Sequence, residues 1–433
     1  MQLPQPSPQT TVVATAFSSS ATLLKDNTKT TLSIIIATSI FSLIFLFSLS
    51  PSSNFHTTLH PRPDPYLFPT RQPIFNKLPS DPTPPSIAYL ISGSKGDSGR
   101  MLRLLLATYH PKNHYLLHID RFASQAERDK LAVSVQSVPI FRAALNVNVI
   151  GKADFVYVKG SSTISATLHG AAILLRLSES WDWFINLNAG DYPLVKQDDL
   201  LHIFSYLPKD FNFVNHTSYI GWRESKKLKP IIVDPGLYLS EKNAMFYASQ
   251  KRNLPNSFRV FSGLTFSVLS RTFIEHCILG TDNLPRTLLM YFSNTLSSLS
   301  NYFPTVLCNS HQFKRTVINH NLQYIAFDKP FKQLPQMLNS SHFGAMIQSG
   351  AAFASQFNSS DSVLDRIDRE ILGRNPGEVV PGGWCLDDSI NGTCSLWGDA
   401  DVLRPSPGSA RLERRIVELL SEGAFRSRQC IVE

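Results

Sequence analysis

Cysteine is scarce in this chain. Five cysteines in 433 residues are too few for a disulfide-built scaffold. Charge is also low: Asp, Glu, Lys and Arg make up 17% of the residues, against 43% hydrophobic, so the chain can bury a large core and is not disordered throughout. An apolar run of membrane-spanning length occurs once and never after residue 50, which excludes a multi-spanning transporter. Basic residues exceed acidic ones by eight, yet they form no Lys/Arg block. The balance suits an acidic substrate or a mildly basic soluble surface, and it gives no support to nucleic acid as a partner. No Cys or His spacing fits a zinc site. After the apolar run the one Asp-x-Asp is Asp399-Ala400-Asp401, far down the chain.

The single apolar run is TLSIIIATSIFSLIFLFSLS, residues 31–50. Twenty helical residues reach about 30 Å, the thickness of a bilayer core. Lys25 and Lys29 precede it, and the first Lys or Arg beyond it is Arg62. The positive-inside rule then leaves residues 1–30 in the cytosol and sends the rest across the membrane. A cleaved signal peptide would carry a shorter apolar region nearer the start, so the run reads as an uncleaved anchor. Residues 51–86 contain ten prolines and read as an extended stem. Residues 87–433 are the head. A cytosolic tail, one anchor, a stem and a luminal head is the layout of a Golgi type II membrane enzyme. Luminal topology makes the sequons at Asn215, Asn339, Asn358 and Asn391 candidate glycosylation sites. It also permits a disulfide between Cys385 and Cys394, nine positions apart in a Gly/Asp/Asn-rich loop. Cys277, Cys308 and Cys430 are left as an odd set.

The head begins with IAYLIS (87–92), a Gly-rich turn, a helical pattern over 100–108 and a second apolar run, HYLLHID (114–120). Strand, turn, helix, strand is a βαβ unit and predicts a parallel sheet. The glycines at 93, 96 and 99 do not make a G-x-G-x-x-G fingerprint. Asp120 ends the second strand, at the edge where ligands sit in such sheets. NVNVI (146–150) and FVYV (155–158) are expected strands, and 162–178 an expected helix. WDWFINLNAGDYPL (181–194) is a buried strand that breaks into a small-residue turn presenting Asp191. Helices are also expected over 361–374 and 412–423.

IAYLISGSKGD, YLLHID, FINLNAGDYPLVKQDDLL, IGWRESKKLKPIIVDPGLY, FSGLTFSVLSRTF, DNLPRTLLMYFSN and VVPGGWC resemble the core-2/I-branching glycosyltransferase family. In pattern they are closest to plant β-glucuronosyltransferases of arabinogalactan proteins. The resemblance runs from Ile87 to about Ser395. It implies a GT-A-type, Rossmann-like α/β head, a UDP-sugar donor, inverting transfer to a glycan acceptor and no divalent metal. It places Ser92, Asp120 and Tyr157 at the uridine and ribose, and Asp191 near the donor sugar. It puts Trp222, Arg223 and Glu224 on the acceptor side, with Lys226, Lys227 and Lys229 beside them.

Three departures fall at the chemistry. Relatives carry a base within SSPEGYFHTVICN; here SSLSNYFPTVLCN puts Ser300 at the Glu position and Pro304 at the His. The basic pair of an FARKF block is Ser355 and Gln356, and a His-Pro-His element reads Leu334-Pro335-Gln336, with Lys329 and Lys332 just upstream. Two expectations follow. One is an active glucuronosyltransferase whose base is Asp191 or Glu224. The other is a catalytically impaired homologue that scaffolds an active transferase in a hetero-complex.

Overall fold

A computed structural model describes residues 83–433, apart from 243, 328–334, 359–360, 388–393, 422, 424, 426–428 and 431–433. Of Arg223 only the backbone is described. The chain divides into two units, Met1–Pro61 and Arg62–Glu433, and every described residue lies in the second. The expected anchor at 31–50 and the stem up to residue 82 lie outside the described residues. Among the described residues no helix is long and apolar enough to cross a membrane.

The first apolar run forms β1 (Ile87–Gly93). Its pleat sends successive side chains to opposite faces: Ile87, Tyr89 and Ile91 join one buried cluster, and Ala88 and Leu90 join the other. A strand buried on both faces has no polar alternation, which is why this run is continuous. The Gly-rich turn leads into α1 (Ser98–Ala107), then β2 (His114–Ile119). Next come α2 (Gln125–Ser137) and α3 (Pro139–Ala144). They are followed by β3 (Val147–Val149) and α4 (Ser162–Leu177), then β4 (Trp183–Asn188). Strands β3, β2, β1 and β4 lie side by side and parallel, as the βαβ pattern predicts.

After β4 come β5 (Asp191–Pro193), α5 (Gln197–Phe204), β6 (Asn212–Phe213) and β7 (His216–Thr217). Then follow α6 (Trp222–Leu228), β8 (Pro230–Val233), β9 (Phe246–Lys251), β10 (Ser262–Gly263) and β11 (Val268–Ser270). Three helices, α7 (Arg271–Ile278), α8 (Asn283–Phe292) and α9 (Ser298–Asn309), precede β12 (Val317–Ile318) and β13 (Gln323–Ile325). The chain closes with α10 (Phe343–Gln348), β14 (Phe353–Ser355), α11 (Ser362–Ile367) and α12 (Pro407–Leu420). The main sheet has the order β12-β6-β11-β4-β1-β2-β3. β11 runs antiparallel to both its neighbours, so the sheet is mixed. A second sheet, β13-β14-β5, stands beside it.

Two local expectations are corrected. Residues 155–158 form no strand: the chain is already turning into α4, with the Gly160 N–H donating to the Tyr157 carbonyl and Val158 pointing to solvent. The last helix begins at Pro407, five residues before the apolar stripe at 412, because the Ser406 hydroxyl accepts the Gly408 N–H and Pro407 occupies the first turn. The helix expected over 361–374 is α11 continued by a wider-turned segment, Asp368–Leu372, that stops at Gly373 in the left-handed region.

The tail is tied to α5. One carboxylate oxygen of Asp198 accepts the Gly383 and Arg404 N–H groups, both at 2.7 Å. Asp199 accepts the N–H and hydroxyl of Ser406. A side chain on Gly383 would bring its Cβ to 2.5 Å from the Val402 carbonyl oxygen. The glycine of the GGWC block is therefore a packing requirement. Cys385 and Cys394 are bonded, as expected. Cys308 on α9 is bonded to Cys430 across 122 positions, leaving Cys277 free. Asn339 and Asn358 are exposed, Asn215 is half-buried between β6 and β7, and Asn391 lies outside the described residues.

Removing the Asp198 carboxylate strands two buried amides. Asp198→Ala is expected to lower unfolding free energy by about 2–4 kcal/mol, measured by urea denaturation. A second prediction concerns pH. Burial lowers His110 to about 3 and His114, His118 and His216 to about 4. Below their unfolded value near 6.5 the unfolded chain takes up protons that the folded chain refuses, so this stability is lost as pH falls. Burial raises Asp198 to about 6, Asp191 to about 6 and Asp120, which acts in the opposite sense. Four histidines outweigh three partly titrating carboxylates. Stability is expected to rise between about pH 5 and 7 by roughly 1–2 kcal/mol per pH unit; a urea midpoint that is flat or falling over that window contradicts the balance.

Candidate active site

The site is built at the carboxyl edge of the parallel strands. Ser92 pairs with His118 of β2 on one side and Asn188 of β4 on the other. The next hydrogen bonds close the edge: the Ala189 N–H donates to the Ser92 carbonyl at 2.8 Å, and the Asp120 N–H to the Gly93 carbonyl at 2.9 Å. Ser92, Asp120 and the turn bearing Asp191 thus meet at one edge, although they are 28 to 99 positions apart in sequence. Asp120 is buried, and burial raises its pKa against the pull of the Ser94 hydroxyl and the Phe122 and Ala123 amides. Tyr157 joins through aromatic contact. Its ring meets Phe122 edge-on at 5.2 Å, and the Phe122 N–H donates to Asp120.

Asp191 is 2% exposed and its oxygens are occupied. One accepts the Asn188 N–H and side-chain amide, both at 2.8 Å. The other accepts the Gln323 amide at 3.1 Å, and the Ser355 hydroxyl also donates to the carboxylate. Burial lifts its pKa to about 6 against the Asn188 and Ser355 donors and Arg100. A carboxylate so saturated fixes the turn; it has little capacity left to take a proton from a ligand.

A cavity of about 250 Å³ opens beside it, lined by Arg100, Arg103, Ala189, Asp191, Tyr192 and Phe357, among others. Arg100 donates to the Phe357 carbonyl at 2.7 Å and pairs with Asp97. Its guanidinium would stand 3.3 Å from a Cβ on Gly190, so it packs closely over the turn. Behind the cavity the Tyr192 hydroxyl donates to Asp368 at 2.6 Å and accepts from Arg374 at 2.8 Å. Asp368 is held by Arg374 and by Arg103. This buried network clamps β5 to α1 and to the segment after α11.

The Gly-rich turn commits two of its amides within the chain. Gly96 and Ser98 donate to the Glu127 carboxylate of α2 at 2.9 and 3.3 Å. The chain's own acid thus takes two donors that such a turn could give to an anion.

Ser300 lies in the first turn of α9, next to Ser297, which is in the left-handed region. Its hydroxyl donates to the Ser297 carbonyl at 2.8 Å. The Ser297 N–H donates in turn to Lys159, docking this helix start against the turn that carries Tyr157. Trp222 and Glu224 sit on α6 and make none of these contacts. Trp222 is exposed with the Lys226 ammonium 3.8 Å over its ring, and Glu224 pairs with Lys227 at 2.8 Å. Gln356 is exposed; Leu334, Lys329 and Lys332 lie outside the described residues. Asp401 of the tail Asp-x-Asp pairs with Lys112.

Sequence reading missed Gln323, Asn188, Arg100 and Glu127. The first is 132 positions from its partner and carries no local signal. Arg100 was legible, since it opens the helix after the glycines.

The family model of the core-2/I-branching enzyme matches residues 87–347, which contain β1, β2, β4 and α9. The Arabidopsis thaliana protein beta-glucuronosyltransferase GlcAT14A is 51% identical over 356 residues, covering 82% of this chain and 80% of that protein. Beta-glucuronosyltransferase GlcAT14C from the same plant is 46% identical, covering 82% and 87%. Human xylosyltransferase 1 is 29% identical over 57% of this chain and 24% of its own length. With the matched segment running from the start of β1 past Ser300, the chain belongs to the core-2/I-branching enzyme family.

Proposed function

We propose that the chain is a glycosyltransferase that moves glucuronic acid from UDP-glucuronate to galactan chains of arabinogalactan-type glycans. It acts with inversion, needs no divalent metal, and works as a Golgi type II membrane protein with its head in the lumen. The observation that carries this reading is the convergence of Ser92, Asp120 and the Asp191 turn at the strand edge, in a chain 46% to 51% identical to Arabidopsis β-glucuronosyltransferases. Asp120 accepts the ribose hydroxyls and Tyr157 flanks the base. Asp191 acts by holding the turn, since its oxygens are already taken. Arg100, close enough to Asp191 to lower its pKa, supplies positive charge that Ser355 and Gln356 do not.

In the transfer the acceptor hydroxyl oxygen bonds to the anomeric carbon. The bond to UDP breaks with its electron pair leaving on the diphosphate, and a base takes the hydroxyl proton. Ser300 is a poor base, with its hydroxyl spent on a backbone carbonyl. Glu224 is the remaining candidate of the two; it pairs with Lys227 at 2.8 Å and shares α6 with the exposed Trp222.

The Ser300 geometry favours a second reading, a catalytically impaired homologue that binds nucleotide and partners an active transferase. One set of measurements separates them. The secreted head is expected to bind UDP by calorimetry and to transfer glucuronate to β-galactan. Glu224→Gln is expected to cut kcat by about 10²–10⁴-fold with UDP affinity unchanged. Transfer at the level of heat-killed protein, together with activity gained by Ser300→Glu, Gln356→Lys, supports the second reading and rejects the first.

A further inference from the structure

Large apolar side chains are rarely left in contiguous exposed patches unless the patch meets a ligand or partner. Among the described residues seven Phe, Tyr and Trp side chains are exposed, and five of them lie between residues 219 and 247: Tyr219, Trp222, Tyr238, Phe246 and Tyr247. The segment folds as α6 and the β8–β9 hairpin. A groove of about 550 Å³ runs along the hairpin, bordered by Val233, Pro235, Tyr238, Ser240, Lys242 and Phe246. Tyr238 is 69% and Phe246 64% exposed.

The groove is held from behind. An isolated two-stranded hairpin is marginal in water, and here it is stapled. Ile232, the one buried residue of its two strands, exchanges hydrogen bonds with Asn294 just after α8, at 3.0 and 2.9 Å. The Asp234 carboxylate accepts the N–H and hydroxyl of Ser162 at 2.7 Å each and the Gly236 N–H at 2.8 Å. That fixes the turn Pro235–Tyr238 against the start of α4. Exposed rings on a braced frame are a surface kept open, at a cost in solvation that burial would recover.

The groove also joins the candidate site. The Tyr157 hydroxyl donates to the Lys242 carbonyl at 2.7 Å and accepts the Lys242 N–H at 2.8 Å. The same Tyr157 ring touches Phe122, the neighbour of Asp120. On the other side the Arg252 N–H donates to the Lys229 carbonyl at 2.9 Å, linking β9 to α6. The rim therefore runs from the nucleotide edge to the helix bearing Glu224.

We propose that the β8–β9 groove is a remote subsite for the acceptor chain. It holds pyranose units beyond the one that receives the transferred sugar. The proposal rests on the glycosyltransferase reading. The chemistry fits: a pyranose presents an apolar C–H face to an aromatic ring and hydroxyls at its edge. The groove offers Tyr238 and Phe246 for the face, with the Ser240 hydroxyl and Lys242 ammonium beside them.

The test measures binding without donor, by calorimetry on the full luminal head, using a β-galacto-disaccharide and a β-galacto-hexasaccharide, with UDP titrated separately. Tyr238→Ala, Phe246→Ala is expected to weaken the hexasaccharide by about tenfold or more and the disaccharide by less than about twofold. UDP affinity stays at the wild-type value. Tyr238→Trp, Phe246→Trp is expected to retain hexasaccharide affinity. Equal hexasaccharide affinity in the alanine variant and wild type overturns the subsite. So does loss of self-association in that variant with glycan affinity intact, which identifies the patch as a contact between copies. Wild-type protein that binds no UDP rejects the transferase reading instead, and the oligosaccharide titration still decides the groove. If the alanine variant does not fold, ring resonances of Tyr238 and Phe246 in wild-type NMR spectra take its place. They are expected to shift with hexasaccharide, and unmoved rings overturn the proposal.

Discussion

The carboxylate of Asp191 is the point on which the candidate site depends. It sits where the main sheet ends and the small sheet begins, and it answers donors from both. Asn188 belongs to β4, while Gln323 and Ser355 belong to the two strands that extend β5. The second sheet is thereby locked in register against the first, and the turn between them cannot drift. The Tyr192–Asp368–Arg374 network repeats the logic one residue further on, using a charge pair in the interior. Such a pair adds less to stability than to definition, because desolvation offsets much of its attraction. The geometry of the cavity beside Arg100 follows from these two clamps.

Much of this arrangement could be read along the chain. The apolar run of β1, the helix after the glycines and the run of β2 dictate a parallel βαβ start, because each carries its own period or its own continuous burial. The position of Asp120 at a strand end follows from that alone. The pairing of Cys385 with Cys394 was visible because the two are neighbours in one loop. What the pattern could not supply was anything that depends on distant segments meeting. The reversal of β11 has no local signature in a three-residue strand. The partners of Asp191 at 323 and 355 look like ordinary polar residues. Cys308 and Cys430 could not be told from Cys277 without knowing that the tail returns to α9. The strand expected at 155–158 failed for a related reason: its residues have strand-like character, but the chain needs them to turn into α4, and Val158 is left in water.

The departures from the family pattern have a common physical character. Each exchanges a charged or titrating group for a neutral one, and two of the neutral groups are taken up by their surroundings. The Ser300 hydroxyl closes a helical turn, and Ser355 becomes a donor to Asp191. The scaffold therefore accommodates both serines. Glu224, proposed above as the base, is on a short helix with Lys226 and Lys227, and Arg100 and Arg103 line the cavity beside Asp191.

The long spacing of the clamps has a consequence for how the head is made. Arg103 meets its partner Asp368 265 positions later, and Leu194 receives a hydrogen bond from Arg411. During synthesis the early strands emerge long before the residues that cover them, so their apolar faces wait exposed while the ribosome finishes. Topologies of this kind fold slowly and lean on chaperones. A truncated transcript that retains every strand of the main sheet but ends before the final helix would yield a chain with no finished interior, and quality control would meet it as an unfolded client.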